Sequence, residues 1–157
     1  MTDSFLQDIT HTIQLAVAPV FLLTALGTTL SVFTTRLARI VDRARRVEAR
    51  LPGEEGAARD ATVRELRMLE ARARLIHWAL TLGTSAALLV CLLIAVAFVG
   101  YLFGARAATV MAVLFVAAMA AYVGALVCFL REIFAAIATM RFALPPEVRD
   151  GRPPPPG

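Results

Sequence analysis

The chain has 157 residues, 59% of them hydrophobic and 18% charged, with a formal net charge of +4 and a mean hydropathy of +0.71. A soluble domain is about 45–50% apolar. Here the excess is concentrated: no charge stands between Asp8 and Arg36, between Arg74 and Arg106, or between Arg106 and Arg131. Each block exceeds the roughly 20 residues an α-helix needs to cross about 30 Å of hydrocarbon, and the blocks show almost none of the polar stripe of a surface helix, which argues against an ordinary water-soluble globule.

In chain order, residues 1–12 form a polar flank with Asp3, Asp8 and no base. A signal peptide would start with the opposite charge and a shorter apolar run. The first span is predicted over 13–35, with Pro19 tolerated inside it. The second covers 76–103, with Trp78 and Tyr101 at its ends as interfacial aromatics, and the third 107–130. Cys91 and Cys128 lie at different depths, which disfavours a disulfide between them and suits small buried apolar residues.

Residues 36–77 are more than a loop. Leu37, Ile40, Ala44, Val47 and Leu51 repeat at alternating steps of three and four, and so do Leu66, Leu69, Ala73, Ile76 and Leu80. Between them stands Pro52-Gly53-Glu54-Glu55-Gly56, a strong helix breaker. The pattern predicts an antiparallel helical hairpin that continues the first and second spans. In register, Ala44 faces Leu66, Ile40 faces Leu69, Leu37 faces Ala73, and Arg43 lies beside Glu65. The segment 36–77 holds eleven arginines against seven acids, whereas the 104–106 turn has only Arg106. Basic excess stays in the cytoplasm, so the hairpin and C-terminus are expected inside and the N-terminus outside. The fold class expected is therefore an all-α membrane protein with three transmembrane helices and a cytoplasmic hairpin between the first two. Beyond the third span, residues 131–144 continue as a helix with Ile133, Ile137 and Met140 on one face, directed at the hairpin. The tail 145–157, with six prolines, is expected to be disordered or polyproline II.

Three features are candidates for function. Arg36, Arg39, Arg43, Arg46 and Arg50 step along one side of the first arm. They suit a belt for anionic lipid headgroups or a docking face for an anionic partner, with Asp42 a local helix pair for Arg39 and Arg46. All 16 basic residues are Arg, with no Lys anywhere, so arginine richness here is a trait of the whole composition and no nucleic-acid partner is expected. Thr24, Gly27, Thr28, Ser31 and Thr35 line one face of the first span. This suits close helix packing, hydroxyls bonded back to their own helix, or the wall of an oligomeric pore. Ala117, Ala121 and Gly124, with Ala120, give small-xxx-small spacing in the third span. Glu132 ends that span level with several arginines. Arg36, Arg39 and Arg74 are its candidate partners, Arg39 foremost.

No ionisable group sits in the middle of a span, as proton relays and ion-coupled transporters require. No phosphate loop is present, and His11, His77 and the cysteines are too scattered to hold a metal. Neither enzyme activity nor a cofactor is expected. The stretch PVFLLTALGTTLSVFTTRLARIVDRARRVEARL, Pro19 to Leu51, runs an apolar helix straight into Thr-Arg-Leu-x-Arg-Ile-x-Asp-Arg-x-Arg. On Thr35, Arg36, Leu37, Arg39, Ile40, Asp42, Arg43 and Arg45 it resembles the bacterial membrane family known as domain of unknown function 2721, over roughly residues 10–142. The resemblance implies a bacterial inner-membrane protein without assigned activity. The expectation is a scaffold or adaptor working through cytoplasmic helix contacts. Its partners are membrane lipids and either its own copies or another protein. The alternatives are a small homo-oligomeric channel lined by the first span and, less favoured, a membrane-tethered sensor or regulator.

Overall fold

The computed structural model describes the backbone of residues 2–103 and 108–142, all of it helical apart from one tight turn. Helix α1 spans Thr2–Glu48, α2 spans Gly56–Phe103 and α3 spans Ala108–Phe142, with a 3-10 turn at Leu51–Gly53. Each includes a segment long and apolar enough to cross a membrane. The 104–106 turn and the 145–157 tail lie outside the described residues.

Helix α1 begins well before the expected first span, at Thr2. No Gly or Pro precedes Pro19, so nothing in the polar flank breaks the helix. Pro19 is accommodated inside α1. The chain reverses where the breaker motif stands. The Gly53 amide donates to the Arg50 carbonyl at 3.1 Å, and Gly56 opens α2 with φ +56°, in the left-handed region that a side chain disfavours. The Thr62 hydroxyl, on the first turns of α2, donates to the Glu54 carboxylate and ties the turn to the helix behind it.

Helix α2 is central and packs on both neighbours. Three clusters stack along the bundle: Leu26 with Ala86, Val90 and Ala118; Phe33 with Ala79 and Ala125; and Ile40 and Val47 with Leu69 and Ile76. Numbers rise along α1 and α3 as they fall along α2, so α2 is antiparallel to both. Buried positions recur every seven residues: Leu26, Phe33, Ile40 and Val47 on α1; Thr62, Leu69, Ile76, Gly83 and Val90 on α2; Ala118, Ala125 and Glu132 on α3. A seven-residue repeat is the spacing of left-handed coiled-coil packing, and it runs without a phase break from the spans into the arms.

The arms pair as an antiparallel hairpin. Leu37, Ala44, Leu66, Ala73 and Leu80 pack around the buried seam of Ile40, Val47, Leu69 and Ile76. Arg43 reaches Glu65, its Nε and Nη2 donating to Oε1 at 3.1 and 2.7 Å. Both side chains are substantially exposed, and an exposed pair contributes only about 0–1 kcal/mol. Arg43→Gln is therefore expected to move the detergent melting temperature by no more than about 2–4 °C; a larger drop would mean the hairpin depends on this pair rather than on its apolar seam.

Outward faces of the spans are apolar: Phe21 is 72% exposed, Leu88 66% and Leu102 76%. Such surfaces suit hydrocarbon, where burial between helices brings no hydrophobic gain and association rests on close packing. That packing uses small residues. A Cβ on Gly124 would lie 3.2 Å from Leu82, and one on Gly83 would lie 2.9 Å from Leu30 and 3.9 Å from Ala125. Of the small residues of α3, Gly124 and Ala121 thus serve contact inside one chain, while Ala120 is exposed. Cys91 is exposed on the bundle surface, contrary to its expected burial, and Cys128 is half-buried; both are free.

Candidate functional site

The three helices converge on one carboxylate. Glu132 sits at the seven-residue core position of α3 and is 0% exposed. Its Oε1 accepts from Arg72 Nη2 at 2.7 Å and Nε at 3.2 Å. Its Oε2 accepts no hydrogen bond and lies 3.7 Å from Arg36 Nη1, too far for one. Arg36 is held over the Phe129 ring, its Cζ 5.7 Å from the centroid, and Phe129 packs on Phe33 with centroids 4.7 Å apart. A cation over an aromatic face is attracted by the ring quadrupole.

The expected pairing of Glu132 thus needs correction. Of Arg36, Arg39 and Arg74, only Arg36 is a partner, and the primary one is Arg72. Arg39 and Arg74 are exposed. Helix phase gives the reason. Arg72 lies three residues after Leu69 and four before Ile76, on the buried side of α2. Arg36 stands likewise between Phe33 and Ile40 on α1. Arg39 and Arg74 have the right depth but point about 100° and 200° away from the seam positions Ile40 and Ile76. The α3 extension is also rotated from expectation. Glu132 faces the hairpin while Ile137 is 51% exposed, so Ile133 and Ile137 do not form its packed stripe; the Met140 side chain lies outside the described residues.

The arginine series of α1 divides into roles. Arg36 and Arg43 face the other helices and their acids. Arg46 and Arg50 are exposed, Arg46 donating from Nε to the Asp42 carbonyl at 3.1 Å. That bond uses the Asp42 backbone, so the carboxylate pairs expected for Asp42 do not form. Between α1 and α2 the side chains of Arg36, Arg39, Arg43 and Arg72 border a groove of about 300 Å³ floored by Ile40 and Leu69. A second hollow of about 220 Å³, lined by Ser31, Val32, Thr35, Arg36 and Arg39, adjoins it on the side of the span.

The hydroxyl stripe of α1 does not pack within the chain. Thr24, Thr28, Ser31 and Thr35 are exposed, and a Cβ on Gly27 would meet nothing within 4 Å. Thr24, Thr28 and Thr35 donate to the carbonyls four residues back, at 3.3, 3.0 and 2.9 Å. The interhelical hydroxyl contact is instead at Thr29, whose Oγ1 is 3.1 Å from the Tyr122 hydroxyl of α3. Thr29 is three residues past Leu26, so the seven-residue phase again marks the inward position.

The chain belongs to the family described as protein of unknown function (DUF2721), whose model matches residues 16–142 and so includes the spans, the hairpin and the Glu132 junction. No curated protein and no solved structure matches it.

Proposed function

We propose that this DUF2721 member is a non-enzymatic membrane scaffold whose α1–α2 hairpin is a rigid docking arm on the cytoplasmic side. The observation that carries this reading is the uninterrupted seven-residue core, from Leu26 to Val47 on α1 and from Val90 back to Thr62 on α2. A loop between spans needs no such seam. A continuous core projects a stiff helix pair whose outer faces, with Arg45, Arg46, Arg50, Arg59 and Arg67 exposed, are free for a partner. The arginine excess of residues 36–77 supports placing the arm inside.

The channel reading draws on the exposed hydroxyls of α1. Their bonds to their own carbonyls weaken it, because a hydroxyl already donating to its helix needs no water-filled pore to satisfy its proton. The two readings separate by photocrosslinking in native membranes, with crosslinkers at Arg46, Arg50 and Arg67 on the arm and at Thr24, Thr28 and Ser31 on the span. The scaffold predicts adducts to a distinct protein from the arm positions. Crosslinks between α1 stripes of two copies, together with ion flux in proteoliposomes, would select the channel. Cysteines introduced by Gly53→Cys and Gly104→Cys, with Cys91 and Cys128 removed, test orientation. A membrane-impermeant thiol reagent on intact cells is expected to label position 104 and spare 53; the reverse would put the arm outside and overturn a cytoplasmic scaffold.

A further inference from the structure

We infer that the groove between α1 and α2, bordered by Arg36, Arg39, Arg43 and Arg72, is a binding site for a phosphate group. This goes beyond the docking reading and does not depend on it.

Charge in the groove is uncompensated. Four guanidinium groups face two carboxylates: Glu65, held by Arg43, and Glu132, held by Arg72. Arg36 reaches Glu132 only at 3.7 Å, and Arg39 pairs with no acid among the described residues. An excess of about two positive charges matches a phosphate group, and guanidinium forks match its oxygens better than an ammonium would. The cations are held in place rather than merely accumulated. Arg43 is fixed by two hydrogen bonds to Glu65, Arg72 by two to Glu132, and Arg36 lies over Phe129. Preorganised donors lower the ordering cost of binding. Arg39, exposed and paired with no acid among the described residues, remains available to the ligand.

The groove also has walls and an exit. Its volume of about 300 Å³ reaches the lower end of the range for ligand clefts, about 300–1,000 Å³. Ile40 and Leu69, both buried, give it an apolar floor. The adjoining hollow shares Arg36 and Arg39 and continues past Thr35 and Val32 along the apolar part of α1. This shape accommodates a phospholipid, with its phosphate among the arginines and its glycerol and chains along α1. The same arginines would also hold a soluble phosphate.

The test uses the full-length chain in detergent, titrated with dioctanoyl phosphatidic acid, dioctanoyl phosphatidylcholine and inorganic phosphate, binding being read by thermal shift. Phosphatidic acid is expected to bind well above phosphatidylcholine. Arg39→Gln is expected to weaken that binding about tenfold without altering the melting temperature of the unliganded protein, because Arg39 holds nothing in the fold. Arg67→Gln, an exposed arginine outside the groove, is expected to change it less than about twofold. Arg39→Lys is expected to recover part of the loss, retaining charge without the planar fork. Equal binding of phosphatidic acid and inorganic phosphate, both weakened by Arg39→Gln, identifies a soluble phosphate as the ligand; binding of the lipid alone identifies the headgroup. Equal losses in Arg39→Gln and Arg67→Gln would reveal a diffuse basic belt and overturn the site, as would binding of none of the probes above phosphatidylcholine.

Discussion

Glu132→Gln is expected to lower stability in detergent by about 3 kcal/mol, against less than about 0.5 kcal/mol for Glu70→Gln on an exposed face of α2. The two substitutions make the same chemical change, and environment decides between them. Glu132 is 0% exposed and Arg72 only 23% exposed at the side chain. Removing the acid's charge strands Arg72 in a largely buried junction and releases Arg36, whereas Glu70 exchanges one solvated group for another. An amide still offers Arg72 an oxygen, which places the loss at the low end of the roughly 3–5 kcal/mol for breaking a buried pair. Chemical unfolding or thermal melting of the two variants side by side checks this, and similar stabilities would show that the junction is open to water. The double variant Arg72→Met, Glu132→Leu is expected to recover most of the loss, because apolar groups of similar size need no partner. If it recovers stability yet changes how α3 packs, the pair sets register. A single polar group at a coiled-coil core position is a known means of doing so. On α3 the other core positions, Ala118 and Ala125, are too small and alike to fix register themselves.

The three spans and the arms are legible from sequence, but the packed face is legible only in the arms, for one physical reason. In water-exposed segments the polar residues mark the outward face, so the three-four spacing of Leu37, Ile40, Ala44 and Val47 displays the seam, and the Arg43–Glu65 pair follows from register. In the spans both lipid-facing and helix-facing positions are apolar. Phe33 and Val32 look alike in sequence, yet one is 1% and the other 48% exposed. For the stripe of Thr24, Thr28 and Thr35 the sequence admits helix packing, bonds back to the same helix or a pore wall; the structure has the hydroxyls bonded to their own carbonyls on the outside, and Thr29 makes the contact with α3. The partner of Glu132 was sought by depth, which admits Arg39 and Arg74. Extending the arm's seven-residue phase upward gives Arg36 and Arg72 at once, because 36 follows Phe33 and 72 follows Leu69 by three. The signal lay in the sequence, in the phase carried over from the readable arms. The groove, by contrast, depends on how two helices lie side by side, and no spacing within either one reveals it.

Gly83→Leu is expected to cost about 3 kcal/mol, toward the upper end for overpacking, while Gly83→Ala stays within about 1 kcal/mol of the parent. Gly83 occupies the core repeat of α2 midway along the bundle, where α1 and α3 both come close. A single added Cβ would stand 2.9 Å from Leu30 Cδ2 and 3.9 Å from Ala125 Cβ. The first atom ends a flexible side chain, which can rotate away, and the second contact is ordinary. Alanine also favours the helix over glycine by about 1 kcal/mol, which offsets the displaced leucine. Leucine has no such escape. Its branches must displace Leu30 and press on Ala125, whose helix is held close by a second small residue, Gly124 against Leu82. Where lipid removes the hydrophobic drive for helix association, separation by even a methyl group forfeits the dispersion contacts that hold the bundle. Melting temperatures in detergent for the parent, Gly83→Ala and Gly83→Leu check this, and two variants equally stable would mean that the helices part at this level without penalty. Loss in the leucine variant should also loosen the Glu132 junction two turns away, because Ala79 and Ala125 pack with Phe33 in one cluster, and Phe33 supports the Phe129 ring over which Arg36 is placed.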